Sequence, residues 1–406
     1  MSQKTTLADL EAAVLGLVDQ DRIVDFHRGL VQIPSVNPPG DCLDAISYVE
    51  KPFRDAGFEY ELLEGDPTRP NLVVKYGPSG GRRLLVNAHV DVVPIGERSA
   101  WQYDPFGAEV VDGKIYGRGA GDDKASVTAQ AIATLILKES GVPLKGQLIY
   151  TAVPDEETGG PHGAALVSEH YPDPDWVIVG EQTLNQVCVG QKGGAGCEIV
   201  VHGRTAHGAL PWEGANAIEG AAEVIVALRR ELLPKLAERT HWAFKPSSSS
   251  VNMISGGVKA NVVPDQATLL IDRRIIPGED PEACRTEIME IAERAIQNVP
   301  GCSVELKTLY PGMPAYAAEV TDPLVVAMLG ANEAIGANTE PTGFSMGTDG
   351  FRWMVRGVPT IIYGPGDPSL AHVPDEWVGI DEMVEATKAY AVTMVRLLGD
   401  YEGNEN

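Results

Sequence analysis

The residues best equipped for chemistry begin in LLVNAHVDVVP, residues 84–94. The apolar run Leu84 to Val86 reads as a short buried strand that delivers His89 and Asp91 to its end before Pro94 stops it. Positions i and i+2 of an extended segment point the same way, so an imidazole and a carboxylate face one spot. There a carboxylate can orient or polarise a metal-bound histidine. The glycine-rich DGKIYGRGAGDDK follows and sets Asp122 at the junction with a helix expected from Ala125 to Leu137, beside the N-terminal amides. Taken alone, these residues are equally compatible with a chance HxD pair and with a helix N-cap at Asp122.

Three further places repeat the pattern of an acid or an imidazole just past a strand. QLIYTAV leads into PDEETGG, which puts Glu156 and Glu157 side by side where α/β proteins build their sites. Adjacent side chains diverge, so one can ligate a metal while the other faces the substrate as general base. WVIVG leads into Glu181, and TIIYGPGD leads through a Gly-Pro loop to His372. Each acid read singly is compatible with a solvated loop residue; four coincidences at strand ends favour a metal centre. Two histidines (His89 and His372) and three carboxylates (Asp122, Glu157 and Glu181), with Glu156 and Asp91 in reserve, suit zinc. One carboxylate can bridge two ions about 3.5–4 Å apart. Cobalt and manganese fit the ligand types less well.

The elements that must position these residues alternate. Helical spacing covers residues 7 to 30 and a further helix runs through Tyr48 to Ala56. Strands then fall around Glu59 to Leu63, Asn71 to Tyr76, Gln147 to Val153 and Trp176 to Val179. Strands alternating with helices predict a layered α/β domain with a largely parallel sheet. From Val187 to about Leu309 the order becomes strand, helix, strand, strand, helix, strand, the ferredoxin-like α+β arrangement; one helix in it is expected over Ala217 to Leu236. This domain, residues 188–308, is inserted into a catalytic domain formed by 1–187 and 309–406, whose α/β pattern resumes with a helix at Pro323 to Ile335.

The chain has 406 residues, 44% hydrophobic and 22% charged, which is ordinary globular composition calling for two domains. A net charge of -25 argues against nucleic acid or an anionic membrane as partner. No apolar run is long enough to span a bilayer, and the polar, amphipathic start MSQKTTLADLEAAV does not read as a signal peptide. Five cysteines without CxxC spacing point to reduced thiols in a cytoplasm rather than to a structural zinc knot.

With these motifs in view, the chain resembles the M20 family of co-catalytic metallopeptidases and deacylases. NAHVDVVP, YGRGAGDDK, DEETGG, HGRTAH, ANVVPD with IDRR, and GPGDPSLAH carry the resemblance in order along most of the length. It implies a zinc-peptidase-like three-layer catalytic domain with an inserted dimerisation or lid domain, and two zinc ions per subunit. His89 and His372 would each bind one zinc with Asp122 bridging, and Glu157 and Glu181 would complete one ion each. Glu156 would be the general base, and Asp91 would stand behind His89. His207 would reach the partner subunit's site in a homodimer to hold an oxyanion, with a loop histidine capping the next helix as the alternative. Asn261 and Arg274 resemble binders of a substrate carboxylate, to which Arg offers a bidentate fork. Arg273, on the opposite face, reads as structural, and Thr348 in GTDG resembles a pocket residue. The expected activity is hydrolysis of an N-acyl amino acid or small peptide with a free carboxylate. A dipeptidase or carboxypeptidase on the same site is the alternative, and a binding protein without metal would require a lost ligand.

Overall fold

In the computed structural model, which describes residues 6–404, the chain forms two compact units. Of the described residues, one comprises 6–190, 318–344 and 348–404, the other 191–317 with 345–347. The segment after Thr308 travels with the second unit because Gly194 and Met313 exchange backbone hydrogen bonds of 2.8 and 2.9 Å.

In the first unit a mixed sheet runs in the order Glu59–Leu63, Asn71–Tyr76, Gln147–Val153, Arg83–His89, Trp176–Val179, Thr360–Ile362 and Cys188–Gln191. Its centre is parallel: Arg83–His89 pairs with Gln147–Val153 and Trp176–Val179, and Thr360–Ile362 with Trp176–Val179. Its edges are antiparallel, which qualifies the largely parallel sheet expected. The connection between Leu63 and Asn71 is too short for a parallel crossover and closes a hairpin instead. Central strands buried on both faces read as continuous apolar runs, as in Leu84–Val86 and Leu148–Val153. All four parallel strands point their C-terminal ends at one edge, where His89 ends its strand and Glu156, Glu181 and His372 follow theirs. Against this sheet lie Lys124–Glu139, buried from Lys124 to Leu137, and the long helix Ile380–Leu398. A small antiparallel sheet, Trp377–Gly379 with Lys114–Tyr116 and Glu109–Val111, was not foreseen.

Two expected helices are divided, each for a local reason. Residues 7–30 form Leu7–Leu15, capped by the Thr6–Asp9 box, and Gln20–Val31, which restarts where the Asp19 side chain accepts from the Asp21 amide. Ala217–Leu236 becomes Ala217–Ala227, a π-helical turn at Leu228–Leu232, and Leu233–Glu238. Pro234 has no N–H to give and its ring crowds the preceding turn, so the regular ladder opens there.

The second unit has an antiparallel sheet ordered Ser248–Gly256, Gln266–Ile275, Cys197–His202, Ser303–Thr308. With helices Ala217–Ala227 and Pro281–Ile296, this is the ferredoxin-like order 2-3-1-4 read in chain sequence. The inward residues of the strands (Ile199, Val201, Leu269, Ile271) pack with Ala221, Val224, Ile288 and Ile291 of the helices. Among the described residues, no helix is long and apolar enough to cross a membrane.

One buried group of the first unit ties stability to pH. His27 is fully buried, 3.1 Å from the Thr128 hydroxyl, and burial pulls its pKa down to about 3. The unfolded chain therefore binds a proton below about pH 6.5 that the folded chain refuses until about pH 3. His27 accordingly costs nothing above pH 6.5 and removes stability as the pH falls through that window, by about 1.4 kcal/mol per unit. Urea unfolding of wild type and His27→Leu at pH 7, 6 and 5 should show a shallower acid decline in the variant. Parallel declines would dismiss His27 as a contributor.

Candidate metal centre

His89 closes its strand with its ring 3% exposed. Its Nδ1 lies 3.0 Å from the Asp91 main-chain oxygen. A carbonyl only accepts, so Nδ1 carries the hydrogen and Nε2 is left as a ligating atom. Nε2 stands 3.3 Å from Asp122 Oδ1. The other Asp122 oxygen lies 3.2 Å from His372 Nε2, which is also 3.2 Å from Glu157 Oε2. Two constellations result, His89–Asp122–Glu181 and Asp122–Glu157–His372, with the ligand atoms of each within 4.8 Å of one another. Asp122 belongs to both. The five residues expected to bind metal are thus brought together, each from its own strand end or loop. Their surroundings differ: the His89 side chain is 3% exposed, whereas that of His372 is 53% exposed, on a loop where its φ is +66°.

The electrostatics show what the cluster lacks. Burial, then the charges of Glu156, Asp122 and Asp123, push Glu181 well above the usual carboxylate range. Burial raises Glu156 likewise, reinforced by Asp349, Glu157 and Asp122 and only partly opposed by His89. Asp122 is held low despite its own desolvation by hydrogen bonds to His372 and His89, and its carboxylate with that of Glu157 lifts His372 to about 10. Glu157 Oε1 is buried without a hydrogen-bond partner. Buried anions without counter-charge are costly, and divalent cations sharing Asp122 would supply it. The donor set, imidazole nitrogen with carboxylate oxygen, suits zinc and related ions.

Asp91 acts differently from the simple picture of a carboxylate behind His89. Its carbonyl takes the imidazole N–H, while its Oδ1 stands at 3.5 Å from Nδ1. The carboxylate accepts the Glu156 amide at 3.1 Å, the Glu157 amide at 3.2 Å and Asn37 Nδ2 at 2.8 Å. It therefore locks the turn carrying both glutamates to the strand end carrying His89. Asn37 and Asp155 extend this lock; Asn37 is not a ligand type, and Asp155, two residues past Gln147–Val153, is eclipsed in the sequence by the two glutamates that follow it. Asp155 sits at φ +75° and accepts from Thr158, His162, Asn37 and Arg69. Beyond it, Arg352 donates to the Gly159 carbonyl and pairs with the buried Asp349 at 3.6 Å. Gly160, at φ +68°, has no room for a side chain, because a Cβ would lie 2.7 Å from Asp349 Oδ1.

The remaining expected residues lie apart from this cluster in kind. Thr348 is 3% exposed and its hydroxyl accepts the Gly350 amide at 3.0 Å, within its own turn. His207, Asn261 and Arg274 belong to the second unit. There His207 pairs with Val262 on a two-stranded ladder, and Gly208 donates to the Asn261 carbonyl at 2.8 Å, so the two are neighbours. Arg274 spends its fork on Asp272, at 2.9 Å through Nε and 3.0 Å through a terminal nitrogen. Its neighbour Arg273 is fully buried and paired with Glu279 at 2.6 Å, as a structural role requires.

An imidazole–carboxylate cluster, buried at His89 and open at His372, can hold cations, and a glutamate outside both constellations can move a proton beside them; the chain is a metal-dependent hydrolase. Residues 85–396 match the model of peptidase family M20/M25/M40. A succinyl-diaminopimelate desuccinylase of Gluconacetobacter diazotrophicus is 32% identical over 387 residues, covering 92% of this chain and 96% of that protein. An acetylornithine deacetylase of Vibrio atlanticus is 28% identical over 368 residues, 88% of this chain and 94% of the other. Among solved structures, aminopeptidase PepT of Bacillus cereus superposes with a TM-score of 0.76 at 22% identity, over 93% of this chain and 99% of that one. A dinuclear metal-binding M20 peptidase of Bacillus subtilis gives 0.71 at 18% identity, over 93% and 97%. The chain belongs to peptidase family M20/M25/M40.

If cations supply the missing charge, their removal should be felt as lost stability. Stripping the protein with a chelator should lower its Tm, and restoring Zn2+ at a thousandfold excess over Kd should return about 4 kcal/mol. Asp122→Ala should abolish the response, since both constellations lose a member. An equal Zn2+-dependent rise in that variant would place the cations elsewhere.

Proposed function

We propose that the chain uses two Zn2+ ions to hydrolyse the amide bond of an N-acyl amino acid, or of a small peptide with a free carboxylate. The observation that carries the proposal is Asp122, common to two three-residue constellations, with Glu156 adjacent and in neither. His89 and Glu181 complete one ion's shell and Glu157 and His372 the other's; Co2+ and Mn2+ suit the same donors less well. When bound, the cations polarise the scissile carbonyl and ease deprotonation of water. Glu156 accepts the proton of the attacking water and passes it to the leaving amine. Asp91 fixes the Glu156 amide and so aims the base.

The second unit supplies recognition in this reading. The His207 Nδ1 accepts the Ala209 amide at 3.1 Å, which leaves the ring hydrogen on Nε2 and makes that edge a donor for a developing oxyanion. Asn261, Arg274 and, in the first unit, Thr348 are assigned to the substrate, with Arg274 shared between Asp272 and the substrate carboxylate. The His207 role calls for a homodimer in which it serves the partner's centre. All five cysteines are unpaired, in keeping with a reducing cytoplasm, and the charge of -25 disfavours nucleic acid and anionic membrane. Among the curated relatives, the desuccinylase and the deacetylase support an acylated amino acid as substrate, with a dipeptidase or carboxypeptidase on the same site as the alternative.

Panels of N-acetyl and N-succinyl amino acids and of dipeptides, scored by amino-acid release, separate deacylase from peptidase. On the best substrate, Glu156→Gln should keep both cations by elemental analysis and lose about 10²-fold or more in kcat. A variant with unchanged kcat would sink the general-base assignment. His207→Ala should lower kcat by about 10²-fold with cation content intact, and wild-type rates would remove His207 from the mechanism.

A further inference from the structure

Glu376 is completely buried, follows His372 by four residues, and precedes the strand Trp377–Gly379. Every hydrogen bond of its carboxylate goes to the loop that ends in Asp122. One oxygen accepts the Gly121 and Asp122 amides, both at 2.9 Å. The other accepts the Gly119 amide at 3.1 Å and a guanidinium nitrogen of Arg118 at 2.5 Å. Its main-chain oxygen takes the Gly117 amide at 2.9 Å. That bond continues the ladder in which Trp377–Gly379 pairs with Lys114–Tyr116. Arg118 is itself 2% exposed and lies against the Trp101 ring at 5.2 Å, so the pair is sealed from water.

The loop is shaped around this anion. Gly119 adopts φ +77°, and a Cβ there would stand 2.3 Å from Val92 Cγ1. A Cβ on Gly121 would stand 2.0 Å from Gln182 Nε2. Successive amides turned inward make a concavity for negative charge, which a side chain fills here in place of a ligand. A helix or strand could hold such a loop with backbone bonds alone. The use of a buried carboxylate from the His372 segment makes one residue span both arms of the outer constellation.

We propose that Glu376 is a positioning residue for the cation site of Asp122, Glu157 and His372: it fixes the Asp122 backbone to the segment that carries His372. This rests on the reading of those three residues as cation ligands. The site of His89, Asp122 and Glu181 shares Asp122 but draws its other two ligands from strand ends that Glu376 does not touch. Removing the Glu376 charge therefore weakens the outer site more than the inner one.

The full-length protein, stripped of metal, is titrated with Co2+, with calorimetric stoichiometry and the visible absorption of the ion as readouts. Wild type should take up two ions. Glu376→Gln, which turns an amide N–H2 toward donors, should bind the first nearly as wild type and the second about ten- to a hundredfold more weakly, with an altered absorption for that step. Glu376→Asp, which keeps the charge one methylene short, should fall between them. Failure of wild type to take up two ions overturns the reading of the centre. Two ions bound with wild-type affinities by a folded Glu376→Gln overturn the inference alone. Loss of fold in both variants at saturating Co2+ assigns Glu376 to the domain rather than to the site, and overturns it too.

Discussion

The centre depends on one carboxylate being shared. Asp122 meets His89 with one oxygen and His372 with the other, at 3.3 and 3.2 Å. Around it the first unit buries more acid than its imidazoles can neutralise, and the cost appears as Glu156 and Glu181 driven toward their protonated forms. Much of the surrounding architecture reads as restraint on that charge. Asp91 holds the glutamate turn, Asn37 ties Asp91 to Asp155, and Arg118 with Glu376 holds the loop beneath. Few of these restraints touch the ligating atoms themselves. They act on backbone amides, which is why the positions of the ligands survive in a cluster whose side chains repel one another.

The division of labour between the carbonyl and carboxylate of Asp91 illustrates the economy of the site. The carbonyl selects the His89 tautomer, and the side chain aligns Glu156 and Glu157. A single residue thus orients a member of the inner constellation, a member of the outer one and Glu156. Substitutions at Asp91 should not be read as testing any one of these in isolation.

Much of this was legible from residue types because the site sits where strands end. Apolar runs such as Leu84–Val86 and Gln147–Val153 announce central parallel strands, and an acid or histidine just beyond each stands out against them. The ferredoxin-like order of the second unit was equally visible in its alternating strands. What escaped had other causes. The split at Pro234 and the restart at Asp19 are local events inside strongly helical patterns, which periodicity averages over. The antiparallel edges depend on connection length rather than on strand composition. Asn37 and Glu376 contribute through partners tens to hundreds of residues away, and a lone polar residue in a loop carries no mark of such a partner. The cis peptide between Asp122 and Asp123 leaves no trace in residue type either.

The order of the ligands along the chain has a consequence for biogenesis. His89, Asp122 and Glu181 have all been synthesised by the time the first half of the chain exists, and the strands that lead to His89 and Glu181 pair with one another. His372 comes only after the whole of the second unit. A nascent chain on the ribosome can therefore pair the strands of His89 and Glu181 early, while Asp122, whose loop Glu376 holds, and His372 must wait until translation is nearly over. The shared carboxylate and the open position are thus both settled last, by the closing stretch of the chain.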